Sequence, residues 1–296
     1  MRNPIPFALL LSALAGAATS MLTTRMADNA PVQRETAYER VIRTQTLRCG
    51  YVTFVPNLIK DPNTGIMSGV DYDIAEALGR KLGMKIDWAE EVGWATVVPG
   101  LKVGKYDALC SGNWINPKLG QQAYFSRPYY YQGAFVVVRA DDVRFDKDVT
   151  AINKPDVRVA SLDGDNPKFI AEEDFPKAQI FTLPDMAGEP MVMESVALRK
   201  ADVTFMDAYN FGTYDDHNRG KLKLTQLDHP VRLYPAGYVL PAGDDRLRAM
   251  INTALDEMIY SGQMEKILQR YAKYPYSFTP IERPKLTASV APNSVP

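Results

Sequence analysis

Two hydrophobic periods take turns along most of this chain. Leu47-Arg48-Cys49-Gly50-Tyr51-Val52 reads as a strand. Asp71 then opens a helix in which Ile74, Leu78 and Leu82 recur every four residues on one face, and Gly83 ends it. Lys85–Trp88 reads as a second strand and Thr96–Val103 as a helix stopped by Gly104. Pro99 is tolerated there because it lies near the first turn. Tyr106–Cys110 reads as a third strand. Between the first strand and first helix, Asp61-Pro62-Asn63-Thr64-Gly65 has the chemistry of a turn. The alternation predicts a parallel sheet covered by helices, with ligands meeting the loops at the carboxyl ends of the strands. Those loops are Tyr51–Pro56, Glu90–Trp94 and Ser111–Pro117.

A second unit repeats the plan. Phe135–Arg139, Val157–Ala160, Gln179–Leu183 and Val203–Met206 read as strands, and Glu189–Arg199 as a helix. Pro167 suits the first turn of a helix after the loop Ser161–Asn166. Residues 244–273 are helical: Leu247, Ile251, Leu255 and Ile259 make one apolar stripe, Gly262 breaks it, and Met264, Ile267, Leu268 and Tyr271 make another. Strand candidates on both sides of residue 131 and again near 238 predict that the chain crosses twice between two lobes, which makes a hinge. The expected organisation is a first lobe over 46–131, a second over 132–237, and a return to the first over 238–276.

The ends differ. Residues 1–18 carry Arg2, an apolar run from Ile5 to Ala18 and small residues at Ala15 and Ala17, the pattern of a signal peptide. An uncleaved anchor is the alternative, though the run is short for a bilayer. Residues 19–45 read as a linker, and 277–296, rich in Pro, Ser, Ala and Asn, as a flexible tail. Charge changes the picture little: 34 Lys+Arg against 35 Asp+Glu leave no basic excess that would steer the chain to nucleic acid. In an exported protein Cys49 and Cys110 admit a disulfide; two buried thiols in neighbouring strands are the alternative. Two cysteines and two isolated histidines, His217 and His229, give no metal-ligand spacing, so neither metal nor cofactor is expected.

Several segments, in order, resemble the amino-acid-type periplasmic solute-binding proteins, family 3 of the bacterial substrate-binding proteins. They are Gly69–Leu78, Pro99–Ala108, Phe125–Tyr131, Ala201–Asp207 and Gly262–Ile267, and the resemblance spans roughly 46–275. It implies a type II periplasmic-binding-protein-like α/β fold: two lobes, two crossing strands, and closure on one ligand. It also implies a periplasmic monomer that captures a small polar solute, amino acid or amine-like, for the membrane permease of an ABC importer. By position, Phe54 and Trp94 fall where the family keeps aromatics. Ser111, Gly112, Asn113 and Trp114 lie on a loop that supplies backbone and hydroxyl contacts. Asp207 matches an acid that holds the ligand's amino group, and Asp163 and Asp165 lie on a loop whose N–H groups meet an anion.

Two positions depart from the pattern. Leu119 stands where many members have an Arg that clamps a carboxylate, and Val52 stands near a usual acid. With aromatics and acids left, a cationic or zwitterionic amine suits the site better than an acidic amino acid. Phe54, Trp94 and Trp114 are also compatible with places in a lobe core, and Asp163 and Asp165 with turn and cap chemistry. Asp71 and Asp73 read as helix-start residues. No catalytic set is expected, since neither histidine, cysteine nor a Ser/His pair supports one. A sensor or partner-delivery protein is the alternative, and a dehydratase-like enzyme a weaker one.

Overall fold

The structure, a computed structural model, describes residues 35–225 and 229–284. The proposed signal peptide lies outside them, as do most of the linker and the tail beyond 284. Helix α1 (Ala37–Thr44) precedes strand β1 (Thr46–Tyr51). The short strands β2 (Ile59–Lys60) and β3 (Met67–Ser68) form a ribbon around the Asp61–Gly65 turn. Helix α2 (Val70–Leu82), strand β4 (Lys85–Glu91), a single 3-10 turn (Trp94–Thr96) and helix α3 (Val97–Val103) follow. Next come β5 (Ala108–Trp114), the short helix α4 (Pro117–Gly120), β6 (Tyr124–Phe125) and the long β7 (Tyr130–Arg139).

The second half contains β8 (Arg158–Leu162), α5 (Asn166–Asp174), β9 (Gln179–Leu183), α6 (Glu189–Ala197), β10 (Val203–Met206), α7 (Ala208–His217) and β11 (Leu222–Thr225). Strand β12 (Arg232–Leu240), helices α8 (Asp245–Tyr260) and α9 (Gln263–Tyr271) and strand β13 (Thr279–Pro280) close the chain.

The main sheet runs β4-β1-β5-β12-β7-β10-β8-β9. Strand β1 pairs in parallel with β4 and β5, and β8 pairs in parallel with β9 and β10. The two parallel sets are joined by β7 and β12, which pair antiparallel from Tyr130↔Ala236 to Ala134↔Arg232. These are the two crossing strands, and the architecture is the two-lobed α/β fold that the double crossing predicts.

Each lobe buries both faces of its sheet. In the first, α2, α8 and α9 cover one face through Ile74, Leu78, Leu255, Ile259 and Ile267. Helix α3 and Tyr106 cover the other through Val97, Leu101 and Leu109. In the second, α5 supplies Ile170 and Ala171 to one face, and α6 supplies Val192, Met193 and Val196 to the other. Sheets buried on both sides need helical cover on both sides, which is why the strands read as unbroken apolar runs.

Cys49 lies opposite Ala108, and Cys110 is two residues further along β5, so both point to the same face of the sheet. They are joined as a disulfide with Cα atoms 5.4 Å apart, beneath α2.

Four expectations are corrected. Residues 37–44, assigned to a linker, form α1, whose Val41 is fully buried in the first-lobe core. Strand β5 does not stop at Cys110 but continues through Ser111, Gly112 and Asn113 to Trp114. Its polar residues are tolerated there because β12 pairs with the backbone and the Ser111 hydroxyl is hydrogen-bonded. The start of the supposed tail is docked: Phe278 is buried and Thr279 pairs with Tyr131 of β7. Asp71 does not cap α2. The cap position is Gly69, at φ 118°, where a Cβ would lie 2.5 Å from the Asn57 carbonyl oxygen.

Candidate functional site

Six strands end at one cavity between the lobes. Beyond β1 stands Phe54, beyond β4 Trp94, and at the end of β5 Gly112 and Trp114. From the second lobe come Asp165 after β8, Glu189 after β9, and Phe205, Met206 and Asp207 at the end of β10. Gln132 of the crossing strand β7, Pro167 and Asn210 complete the lining of a cavity of about 70 Å³. This is where carboxyl ends of parallel strands place a ligand.

The aromatic walls are held by defined partners. Trp114 stacks on Tyr234 of β12, with ring centroids 4.7 Å apart and planes 10° apart. Its indole N–H donates to Gln132 Oε1 at 3.0 Å. Phe54 meets Trp94 edge to face at 5.4 Å. An indole with its N–H fixed presents one ring face and little freedom to rotate away.

The acids are anchored from behind. Asp207 caps α7, accepting from the backbone N–H of Tyr209 (2.9 Å) and Asn210 (3.0 Å) and from the Asn210 side-chain amide (2.7 Å). Burial raises its carboxyl above the ordinary range, and the Asn210 donors pull against that. Burial likewise raises Glu189, and the neighbouring Asp207 charge adds to it. Asp165 caps α5, accepting from Lys168 N–H at 3.2 Å and Leu162 N–H at 2.8 Å. Burial pushes it up to about 7, with the charges of Glu189 and Asp185 adding to the shift. Three carboxyl groups thus converge on one cavity, and among the described residues no Lys, Arg or His lines it.

Behind Gly112 lies a fourth carboxyl. Asp71 is completely buried and accepts from Gly112 N–H at 2.7 Å and Asn57 Nδ2 at 3.1 Å, with the Tyr130 hydroxyl at 3.4 Å. Burial pushes it up to about 7 in spite of those donors. Its place two residues after Gly69 suggested a helix-start acid; its real task is to fix the cavity-lining backbone at Gly112.

Of the eight residues expected at the site, Phe54, Trp94, Gly112, Trp114 and Asp207 line the cavity. The other three stand elsewhere. The Ser111 hydroxyl accepts from Val52 N–H at 2.9 Å and donates to Val52 O at 3.1 Å, so it ties β1 to β5. Asn113 is buried within β5, its backbone paired with Gly237. Asp163 faces solvent and pairs with Lys168 Nζ at 2.9 Å. At the start of α5 Asp165 itself accepts the Lys168 N–H, and Pro167 has no N–H to give. Gln132, Glu189 and Asn210 were missed. Glu189 and Asn210 carry no local pattern that separates them from ordinary helix residues, whereas Gln132 could have been noticed as a polar residue inside an apolar strand.

Contacts that bridge the cleft surround this cavity. Asp185 of the second lobe accepts from the backbone N–H of Trp94 (3.1 Å) and Ala95 (3.2 Å), at the start of the 3-10 turn that leads into α3. It reaches them because residue 93 is glycine; a Cβ there would lie 1.9 Å from Asp185 Oδ2. Asn116 Nδ2 donates to Asn166 Oδ1 at 3.2 Å, and Lys118 pairs with Glu172.

Two α/β lobes, joined by two strands and lining one cavity from both sides, define a hinged ligand-binding protein. The chain belongs to the bacterial extracellular solute-binding proteins, family 3, whose family model matches residues 47–274. It is 24% identical over 212 residues to the probable amino-acid-binding protein YxeM of Bacillus subtilis, covering 70% of this chain and 76% of that one. It is equally 24% identical over 243 residues to the cyclohexadienyl dehydratase of Pseudomonas aeruginosa, covering 81% and 88%. The crystal structure of the ancestral amino acid-binding protein AncCDT-1, a precursor of cyclohexadienyl dehydratase, superimposes with a TM-score of 0.69 at 28% identity, over 80% of this chain and 100% of that one.

Proposed function

We propose that this protein is exported to the periplasm, captures a small polar solute in the cleft between its lobes, and delivers it as a monomer to the membrane permease of an ABC importer. One observation carries the reading: a single cavity walled by Phe54, Trp94 and Trp114 from one lobe and by Asp165, Glu189 and Asp207 from the other. A solute that touches both walls is held only when the lobes are together, so binding shifts the population toward closure. The family and its amino-acid-binding relatives support the solute class in outline. In this reading residues 1–18 are a signal peptide, residues 46–131 and 238–276 make the first lobe, and 132–237 make the second.

Thermal unfolding against amino acids, amines, betaines and small organic acids tests it. A solute that binds only the folded state adds about 2.7 kcal/mol of stability at a hundredfold excess over its Kd. A raised midpoint with one class, and loss of uptake of that class on deletion of the chain, are the expected results. A raised midpoint with normal uptake would favour delivery to a sensor or another partner.

Catalysis is the second reading, and one observation favours it: Glu189, a carboxyl raised by burial, lies in the cavity of a chain similar to a dehydratase. A raised carboxyl can serve as a general acid. The lining offers no cation to hold an organic acid substrate, so we take the protein as a binder. Turnover of a cyclohexadienyl acid would reverse that choice.

A further inference from the structure

Among the described residues the cleft has three acids and no base in its lining, which bears on how it would treat a ligand's own carboxylate. Such a group needs a cationic side chain or free N–H donors once it leaves water. The cations near the cleft are engaged elsewhere. Lys118 pairs with Glu172 and Lys168 with Asp163.

Several backbone donors are engaged as well. Gly112 N–H is given to Asp71, and the N–H groups of Leu162 and Lys168 to Asp165. Those of Trp94 and Ala95 go to Asp185. Pro167 has none, and β5 beyond Gly112 runs on to give the Ile115 N–H to Pro235 of β12. Among the described residues, the side-chain N–H groups that line the cavity belong to Trp94, Trp114, Gln132 and Asn210. Trp114 donates to Gln132 and Asn210 to Asp207, while the Gln132 amide points to the carbonyl of Ser277 at 3.4 Å. A carboxylate would therefore enter beside three acids with no cationic side chain in the lining to pair with it.

A positive group meets the opposite conditions. Asp207 is already ordered by its Tyr209 and Asn210 donors, so little side-chain freedom is lost when a cation arrives. The ring faces of Phe54, Trp94 and Trp114 attract cations as well. Resting on the solute-binding reading above, we propose that the ligand of this cleft is an organic cation that carries no carboxylate: an amine, a guanidine or a quaternary ammonium compound.

Matched pairs that differ only by the carboxylate test this directly. Calorimetry on the full chain would compare cadaverine with lysine, agmatine with arginine, and choline with glycine betaine. The expected result is that, in at least one pair, the carboxylate-free member binds about tenfold or more tightly than its partner. Asp207→Asn and Glu189→Gln should each weaken that binding by about tenfold, with an unchanged circular dichroism spectrum showing that the fold survives. Tighter binding of the amino-acid member in every pair that binds overturns the proposal and leaves solute capture standing. No heat with any of the six compounds also overturns it, and the uptake assay then decides whether solute capture itself has failed.

Discussion

Asp71 shows how far a residue's role depends on what covers it. Sequence reasoning sees an acid in the first turn of a helix, where the dipole favours it. The structure places that acid under Gly112, wholly out of water, with a carboxyl pushed up to about 7. In the unfolded chain the same group titrates near 4. Between those values the folded state holds a proton that the unfolded state has lost. The stability Asp71 contributes is therefore complete below about pH 4 and is lost as pH rises toward 7, by up to about 1.4 kcal/mol per unit. Asp165, raised to the same region, acts in the same direction. Urea denaturation from pH 4.5 to 8 should thus show stability falling, and Asp71→Asn should flatten part of that slope. An unchanged slope in the variant would place the proton elsewhere. Phe54, Trp94, Trp114 and Asp207 were legible because the family resemblance places them, by position, on the loops at the strand ends. Asp71 and Glu189 were not, because only tertiary contacts distinguish them from helix acids in water.

At the scale of elements, the periods of two and of about four carried most of the fold. Strands β9 and β10 fall at the expected residues, because apolar runs bounded by turn chemistry leave little choice. Strand β5 was cut short by its Ser-Gly-Asn run, since sequence alone cannot show that β12 lies alongside to satisfy that backbone. Helix α1 was missed for a related reason: eight residues with one deeply buried side chain gain their stability from docking, not from propensity. The Cys49–Cys110 bridge joins two neighbouring strands across a sequence separation of 61 residues. Closing a loop of that size is worth about 4 kcal/mol in the chain-entropy picture. Replacing both cysteines by alanine should lower stability by up to that amount in a denaturant titration while leaving ligand affinity nearly unchanged, because the bridge faces α2 and not the cleft. A large loss of affinity would show that it holds the site as well.

For the whole molecule, the balance between open and closed forms rests on a few contacts across the cleft. Asp185 takes two backbone N–H groups of the opposite lobe, and the absence of a side chain at Gly93 lets it approach. Removing a charged acceptor from two donors costs on the order of 1–3 kcal/mol. Asp185→Ala should therefore favour the open form, weaken ligand affinity by about tenfold and enlarge the radius of gyration measured by small-angle scattering. Gly93→Ala should act the same way by keeping the acid out. If both variants scatter and bind as the parent does, these contacts do not set the balance. None of this was visible in the sequence, which shows a Gly-Trp pair and a distant Pro-Asp pair with nothing to connect them.

The placement of the tryptophans has a practical result. The chain has three. Trp94 and Trp114 face the cavity, whereas Trp88 is stacked on Tyr72 at 5.5 Å and donates to Glu76 on the outer side of the first lobe. Two of the three emitters therefore sit where a solute arrives, and the third gives a constant background. The protein carries its own optical gauge of occupancy, readable in dilute solution without any attached dye.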